Sequence, residues 1–218
     1  MLKQKCESFM LNKYISQITF STSYSYSRIL PVVLLALMIS ACSVNPESAP
    51  QATKQLSPET KKLYAEAIKK MKSGNTKKAQ LLLSKVIRQQ PGFSNAYVNM
   101  GILYIKMNMN KKAELSFQQA LKIEPGNKYA LNQQAFIYRV NGDFAKAKEN
   151  YEKAINIDSD YANAHLNLGI LYDLYLYDLE SALQQYKKYN ELSKGKNKQV
   201  SKWIFELERR YKKSLSQK

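Results

Sequence analysis

The fold of this chain is decided by residues 94–127, which read SNAYVNMGILYIKMNMNKKAELSFQQALKIEPGN. Much of this pattern returns at intervals of 34 residues on both sides of the stretch. The recurring positions hold Ala79, Ala113 and Ala147; Gly101, Ala135 and Gly169; Tyr104, Tyr138 and Tyr172; and Pro91 with Pro125. One period shared by several positions predicts a helix-turn-helix solenoid, in which each small unit buries its apolar face against the next.

The spacing inside one unit predicts two packed helices. Tyr97, Gly101 and Tyr104 lie on one face of a first helix, because residues three or four apart return to the same side. The second helix shows the same spacing in Ala113, Phe117 and Ala120. Small side chains at some of these positions let two helix backbones approach, and the large side chains fill the space between them. Pro125 then ends the second helix.

These units resemble the tetratricopeptide repeat (TPR). The residues of 94–127 that carry the resemblance are Tyr97, Gly101, Tyr104, Ala113, Phe117, Ala120 and Pro125. Residues 128–161 are similar, with Ser159 in place of the proline, and residues 60–93 fit more loosely. The resemblance implies an all-α, TPR-type helix-turn-helix solenoid of about four repeats, a fold that usually presents a surface to partner proteins.

The end of the repeat array departs from the pattern. Ala182 follows Ala147 by 35 residues, which we interpret as an insertion of one residue within Tyr175–Asp178. A further amphipathic helix is expected at residues 198–215, with an apolar face formed by Val200, Trp203, Ile204, Leu207 and Tyr211. Since terminal repeats need a cap with a polar outer face, we interpret this segment as a capping helix. A docking helix for a partner is the alternative.

An apolar run precedes the repeats. Residues 29–39 are too few to span a bilayer reliably, and they match the hydrophobic region of a signal peptide. The following Ile39-Ser40-Ala41-Cys42 resembles the lipobox of bacterial lipoproteins. The resemblance implies that residues 1–41 are a lipoprotein signal peptide and that Cys42 is fatty-acylated as the mature N-terminus. The alternative is a buried cysteine at the end of an ordinary hydrophobic segment.

The lipoprotein resemblance also implies a location and a domain order. Ser43, rather than aspartate, follows the cysteine, which favours lipid anchoring at the periplasmic face of the outer membrane. Residues 42–57 are rich in proline, serine and glutamine and are expected to form a lipidated, disordered tether. We expect the TPR solenoid at residues 58–193, its last repeat degenerate, and a basic capping helix and tail at residues 194–218.

The chain is strongly basic, with a net charge of +17. Residues 1–41 carry +3 of this, which leaves +14 for the remainder, and the cations are concentrated near the C-terminus. A solvated helix face, anionic lipid headgroups or an acidic protein partner would each account for the charge. Nucleic acid is the least favoured partner, because no recognition helix or basic motif interleaved with aromatic residues is present.

The sequence offers no catalytic constellation, cofactor motif or metal-ligand set. His165 is the only histidine and occupies a packing position of the fourth repeat. Removal of residues 1–41 would delete Cys6, and acylation would consume Cys42, so no free thiol would remain. Glycine-rich phosphate loops are absent. We therefore expect a protein that is not an enzyme and has neither a cofactor nor a small-molecule substrate.

The concave groove is the expected working surface. In TPR proteins, particular positions of each first helix line this groove, and here they present many amides, each of which offers a donor and an acceptor. The candidate partner-binding residues are Asn95, Asn99, Tyr129, Asn132, Gln133, Arg139, Asn163 and Asn167. We expect them to bind a protein or an extended peptide, unless the amides merely keep the groove solvated.

The combined pattern indicates a non-catalytic TPR lipoprotein. We expect it to act as an interaction scaffold or assembly factor for a bacterial envelope complex, such as the one that assembles type IV pilus secretins. A component of a TonB-type energy-transducing system is one alternative. A cell-wall-associated protein that is accessory to an envelope enzyme is another.

Overall fold

The computed structural model describes residues 55–216, which are almost wholly helical and contain no strand. The helices of this range are α1 (Pro58–Lys72), α2 (Thr76–Gln89), α3 (Ser94–Lys106), α4 (Asn110–Ile123), α5 (Lys128–Val140), α6 (Phe144–Ile157), α7 (Ala162–Leu171), α8 (Leu179–Leu192) and α9 (Lys198–Leu215). A π-helical turn, Tyr172–Leu176, follows α7. The prediction of an all-α helix-turn-helix solenoid with a C-terminal capping helix is confirmed.

The helices form four antiparallel pairs and a cap. Each odd-numbered helix from α1 to α7 packs mainly on the helix that follows it, and α9 packs on α8. The first helices of neighbouring pairs also contact each other, α3 with α5 and α5 with α7. The second helices contact mainly the first helices on either side of them. The layer of first helices therefore lies on the inner side of the solenoid curve.

The core consists of small residues facing large rings. Ala79, Ala113 and Ala147, at equivalent positions of three second helices, have no exposed surface. Phe117 and Tyr151 are also completely buried. Each small residue lets two helix backbones approach, and each ring fills the remaining volume, as expected from the spacing of these residues.

The fourth pair accommodates its extra residue through a change of helix type. After α7 the backbone widens into the π-helical turn, and Tyr177 then adopts a left-handed conformation with φ of 56°. Asp178 begins α8 by accepting a hydrogen bond from the Ser181 backbone N–H at 3.0 Å. The single-residue insertion is therefore taken up by one π turn, a common way to absorb an insertion in a helix.

The cap α9 is held by apolar contacts and by two ion pairs. Val200 and Leu207 are buried, and the ring centroids of Trp203 and Tyr186 are 5.7 Å apart. The Arg210 guanidinium donates to Asp173 Oδ1 at 2.9 Å, and Lys187 pairs with Glu208 at 2.8 Å. The inward face of α9 thus closes the exposed end of the last helix pair.

Some sequence-based predictions fall outside the described residues. They concern the signal peptide at 1–41, the acylation of Cys42, the tether as far as residue 54, and the last two residues of the basic tail. Ser57, at the end of the expected tether, caps α1 by accepting a hydrogen bond from the Thr60 backbone N–H at 3.1 Å. Within residues 55–216, none of the helices is both long and apolar enough to traverse a bilayer.

Candidate functional site

The groove residues predicted from the sequence all lie on first helices, and they form a surface that we call the inner face. Asn95 and Asn99 belong to α3, four further residues belong to α5, and two belong to α7. The α5 members are Tyr129, Asn132, Gln133 and Arg139, and the α7 members are Asn163 and Asn167. The structure assigns these residues different roles.

Two of the amides connect neighbouring first helices. Asn167 Nδ2 donates to Asn132 Oδ1 at 3.0 Å, and Asn132 is only 1% exposed. In the same way, Asn99 Nδ2 donates to the Tyr64 hydroxyl of α1 at 2.5 Å. Both hydrogen bonds join residues 35 positions apart, one more than the repeat period, so each connects one repeat position to the residue just after its equivalent in the next repeat. Asn132 is therefore a positioning residue, because its buried amide is already engaged between helices.

Asn95 and Asn163 lie at the edge of the inner face. Asn95 Oδ1 accepts a hydrogen bond from Asn127 Nδ2 at 3.0 Å, within the network that caps the start of α5. Asn163 is exposed and neighbours the phenol of Tyr161. Burial raises the pKa of Tyr161 to about 12, and the nearby Asn163 and Asn132 amides oppose that shift.

Tyr129 and Gln133 are the members of the inner face that remain accessible near its centre. Tyr129 is 45% exposed, and its ring meets that of Tyr161 edge-on at a centroid distance of 5.4 Å. The Lys128 ammonium lies 5.2 Å from the Tyr129 ring centroid and pairs with Asp158. Gln133 is partly exposed, and its side chain forms no hydrogen bond with any residue in the described range. Its donor and acceptor are therefore available to a ligand.

Arg139 supplies the most distinctive chemistry of the inner face. Its guanidinium carbon lies 5.4 Å from the Phe136 ring centroid and 5.7 Å from that of Tyr175, so two aromatic rings hold the cation. Arg139 forms no salt bridge with a carboxylate of the described residues, and its buried Nε has no hydrogen-bond partner there. We call the set Phe136, Arg139 and Tyr175 the arginine cage.

Asp173, the acidic group that acts on the same phenol as Arg139, is already neutralised. Asp173 and Arg139 both act on the Tyr186 phenol, whose pKa is raised first by burial and then by the Asp173 carboxylate. Asp173, however, forms its ion pair with Arg210 of the cap helix. Arg139 also opposes the burial that raises the pKa of Tyr151 to about 12. The arginine cage therefore keeps an uncompensated positive charge at the C-terminal end of the inner face.

Sequence reasoning identified Arg139 as a groove residue but did not predict the aromatic contacts that hold it. Tyr175 lies within the predicted insertion, and the sequence could not show that a π turn carries its ring back towards α5. Arg210 lies on the polar side of a predicted cap, where an ion pair with Asp173 has no local sequence signal. The spacing of Phe136 and Arg139, three residues apart on one helix, was the only available indication of the cage.

His165 has a structural role. It is nearly buried, with Nδ1 2.7 Å from Gln185 Oε1 and Nε2 2.9 Å from the Ser159 carbonyl oxygen. The ring therefore connects α7 to α8 and to the loop before α7. Residues 55–216 contain no group of three or more His, Cys, Asp or Glu side chains placed to ligate a metal ion.

Three family models match the chain. Two are described as tetratricopeptide repeat and cover residues 94–127 and 116–149, and one described as TPR repeat covers residues 135–173. No curated protein matches the sequence significantly.

Solved structures share the fold at low sequence identity. One, described as a functional characterization of Pseudomonas aeruginosa pilF, has a TM-score of 0.64 at 18% identity, covering 72% of this chain and 70% of that one. The MamA protein has a TM-score of 0.53 at 19% identity, covering 73% of this chain and 92% of its own. The first TPR of Spaghetti (RPAP3), bound to the HSP90 peptide SRMEEVD, has a TM-score of 0.50 at 19% identity, covering 54% and 92%.

Proposed function

This chain is a tetratricopeptide-repeat protein, and from that premise we propose that its inner face binds an extended segment of a partner protein with an acidic side chain at the arginine cage. The protein acts as an interaction scaffold rather than as an enzyme. The accessible amide of Gln133 and the ring of Tyr129 contact the segment, while Arg139 pairs with its carboxylate. Asn132 keeps the helices in register beneath them.

The observation that carries this proposal is the uncompensated charge of Arg139. Two rings fix the guanidinium, so little side-chain freedom is lost when an anion binds. A planar guanidinium also matches a carboxylate through two parallel hydrogen bonds. The RPAP3 domain, similar in fold, is described as bound to a peptide that contains two glutamates and an aspartate. That likeness supports an acidic peptide as the class of ligand.

We further propose that the scaffold works in a bacterial envelope. The lipobox-like sequence ending at Cys42 supports anchoring by fatty acyl chains, and Ser43 supports the periplasmic face of the outer membrane as its site. The protein would then hold a component of an envelope complex close to that membrane. Assembly of type IV pilus secretins is the process we favour.

The experiment is a binding cycle with peptides. Peptides selected from an arrayed library on the full chain are measured by fluorescence anisotropy, each beside a counterpart in which Asp and Glu become Asn and Gln. Arg139→Gln should lower the affinity for the acidic peptide about 10-fold or more, since a hydrogen bond to a charged group contributes about 1.5–3 kcal/mol. It should leave the neutral counterpart nearly unchanged. Arg88→Gln, which removes an exposed arginine at the end of α2, is the matched control.

A second readout locates the ligand. A photo-crosslinking residue at Gln133 should capture the peptide, whereas the same residue at Leu115, 64% exposed on α4, should not. If Arg139→Gln lowered the affinity for the acidic and the neutral peptide equally, charge recognition would be contradicted. Crosslinking at Leu115 without crosslinking at Gln133 would place the ligand elsewhere and refute the inner face.

A further inference from the structure

The outward face of the cap helix α9 has a composition that capping does not require. Lys198, Lys202, Phe205, Arg209 and Lys212 recur at steps of four and three residues, and they therefore form one stripe along the helix. Lys213 lies beside this stripe. We call these six residues the cap stripe. All six are exposed, and Phe205 keeps 70% of its surface accessible.

The structure separates the cap stripe from the cations that stabilise the fold. Arg210 and Lys187 are paired with Asp173 and Glu208 along the junction between α9 and the solenoid. The five cations of the stripe form no salt bridge with any carboxylate in residues 55–216. Residues 194–216 contain eight cationic and two acidic side chains, a net charge of +6. A dense positive field therefore faces solvent around an exposed phenyl ring.

We propose that the cap stripe binds an anionic phospholipid surface, with Phe205 inserted among the lipid chains and the surrounding cations on the phosphates. A lone exposed aromatic residue is unremarkable in a soluble protein. A phenyl ring that shares one helix face with five cations, none of them in a salt bridge, suits a surface that offers an apolar medium beside anions. A membrane interface offers that combination, because an amphipathic helix lying in it buries its apolar residues about 5–10 Å deep.

This surface is independent of the inner face. The cap stripe lies on the side of α9 that points away from Val200 and Leu207, which pack on the solenoid. The cap stripe shares no residue with the arginine cage. The inference also does not depend on acylation of Cys42, since it uses only residues of α9. The two proposals can therefore fail separately.

A local reporter tests the insertion of residue 205. Trp203 is the only tryptophan of the chain, so Phe205→Trp in a Trp203→Phe background places one indole in the stripe. The control carries Leu115→Trp in the same background. With vesicles of phosphatidylglycerol and phosphatidylethanolamine, the indole at position 205 should shift to the blue and be quenched by brominated lipid. The indole at position 115 should not respond.

The reporter also tests the electrostatic part. With phosphatidylcholine vesicles, or in 0.5 M salt, quenching at position 205 should be lost because the attraction is screened within a few ångströms. Since the reporter is local, attachment of the N-terminal region to vesicles cannot produce this lipid dependence. Equal quenching in both kinds of vesicle, or none in either, would overturn the proposal.

Charge variants give a second readout that keeps Trp203. Lys202→Gln, Arg209→Gln and Lys213→Gln together should lower partitioning onto phosphatidylglycerol vesicles on the order of 100-fold at low salt, each cation contributing about fivefold. The control changes Lys61, Lys62 and Lys69 of α1, all exposed, to Gln, and so removes the same net charge. Equal loss in both triple variants would show that only overall charge matters and would refute the stripe. A response of the indole at position 205 to polyglutamate but not to vesicles would assign the stripe to an acidic protein instead.

Discussion

Gly169 in α7 lies against the ring of Tyr186 in α8, where a Cβ on the glycine would be 2.6 Å from ring atom Cδ1. Gly101 and Phe117 make the same kind of contact two repeats earlier. Phe117 follows its glycine by 16 residues, but Tyr186 follows by 17. The π-helical turn Tyr172–Leu176 absorbs the difference, so the insertion leaves the glycine–ring contact in place.

Gly169→Ala should therefore destabilise the solenoid. The added methyl group meets a buried ring, and such overpacking costs about 1–3 kcal/mol, against about 1 kcal/mol gained from helix propensity. Gly126→Ala is the control, because no atom lies within 4 Å of the position of its added Cβ. Urea unfolding should show a lower midpoint for Gly169→Ala only. Equal midpoints for the two variants would contradict the contact.

Gln134 offers the opposite prediction. It is 2% exposed, and neither amide atom has a hydrogen-bond partner among the described residues. The equivalent positions 34 residues before and after hold Met100 and Leu168, both buried. Gln134→Met should raise the free energy of unfolding, since an unsatisfied buried amide costs about 1–3 kcal/mol.

The neighbouring Gln133 provides the control for this change. It is partly exposed on the same helix, so Gln133→Met should alter the unfolding midpoint very little. A loss of stability in Gln134→Met would mean that the amide has a partner in solution, such as a bound water molecule.

Sequence reasoning predicted the repeat architecture but not the contacts between successive repeats. The 34-residue period predicted the helix pairs, because small and large residues at fixed spacing can pack in few other ways. The period also placed Asn132 on the side of its helix that does not pack against the second helix of the pair. It could not show that successive first helices approach closely enough to bury Asn132 against Asn167. That distance depends on the curvature of the whole array, which no single repeat encodes.

Asn167→Ala should consequently affect stability and not only binding. Its amide is the partner of the buried Asn132 carbonyl, so its removal should cost about 1–3 kcal/mol. Gln133→Ala, at an accessible position without such a partner, should stay within about 0.5 kcal/mol of the parent. Thermal unfolding of both variants tests this difference. Equal melting temperatures would indicate that the Asn132–Asn167 hydrogen bond contributes nothing.

Cys42→Ala should block maturation of the chain. This variant should keep residues 1–41 and carry no acyl chain, whereas the parent should begin at an acylated Cys42. Mass spectrometry of the protein purified from membranes distinguishes the two forms. Cys6→Ala is the control and should mature normally. A parent protein that begins at another residue would refute the assignment.

Buried phenols predict how stability falls in alkali. Burial raises the pKa of Tyr151 to about 12, above the ordinary value of 10.0, so the folded state retains a proton that the unfolded state releases. The stabilisation is complete below pH 10 and is lost as the pH rises towards 12, by about 1.4 kcal/mol per pH unit for each such tyrosine.

Tyr151→Phe should unfold like the parent near pH 7, because the hydroxyl has no hydrogen-bond partner in the described range, and should lose less stability between pH 10 and 11.5. Tyr177→Phe, which removes a hydroxyl at a position 77% exposed, is the control for the substitution itself. Parallel pH profiles for all three proteins, measured by urea unfolding, would mean that the Tyr151 phenol ionises as readily in the fold as in the unfolded chain.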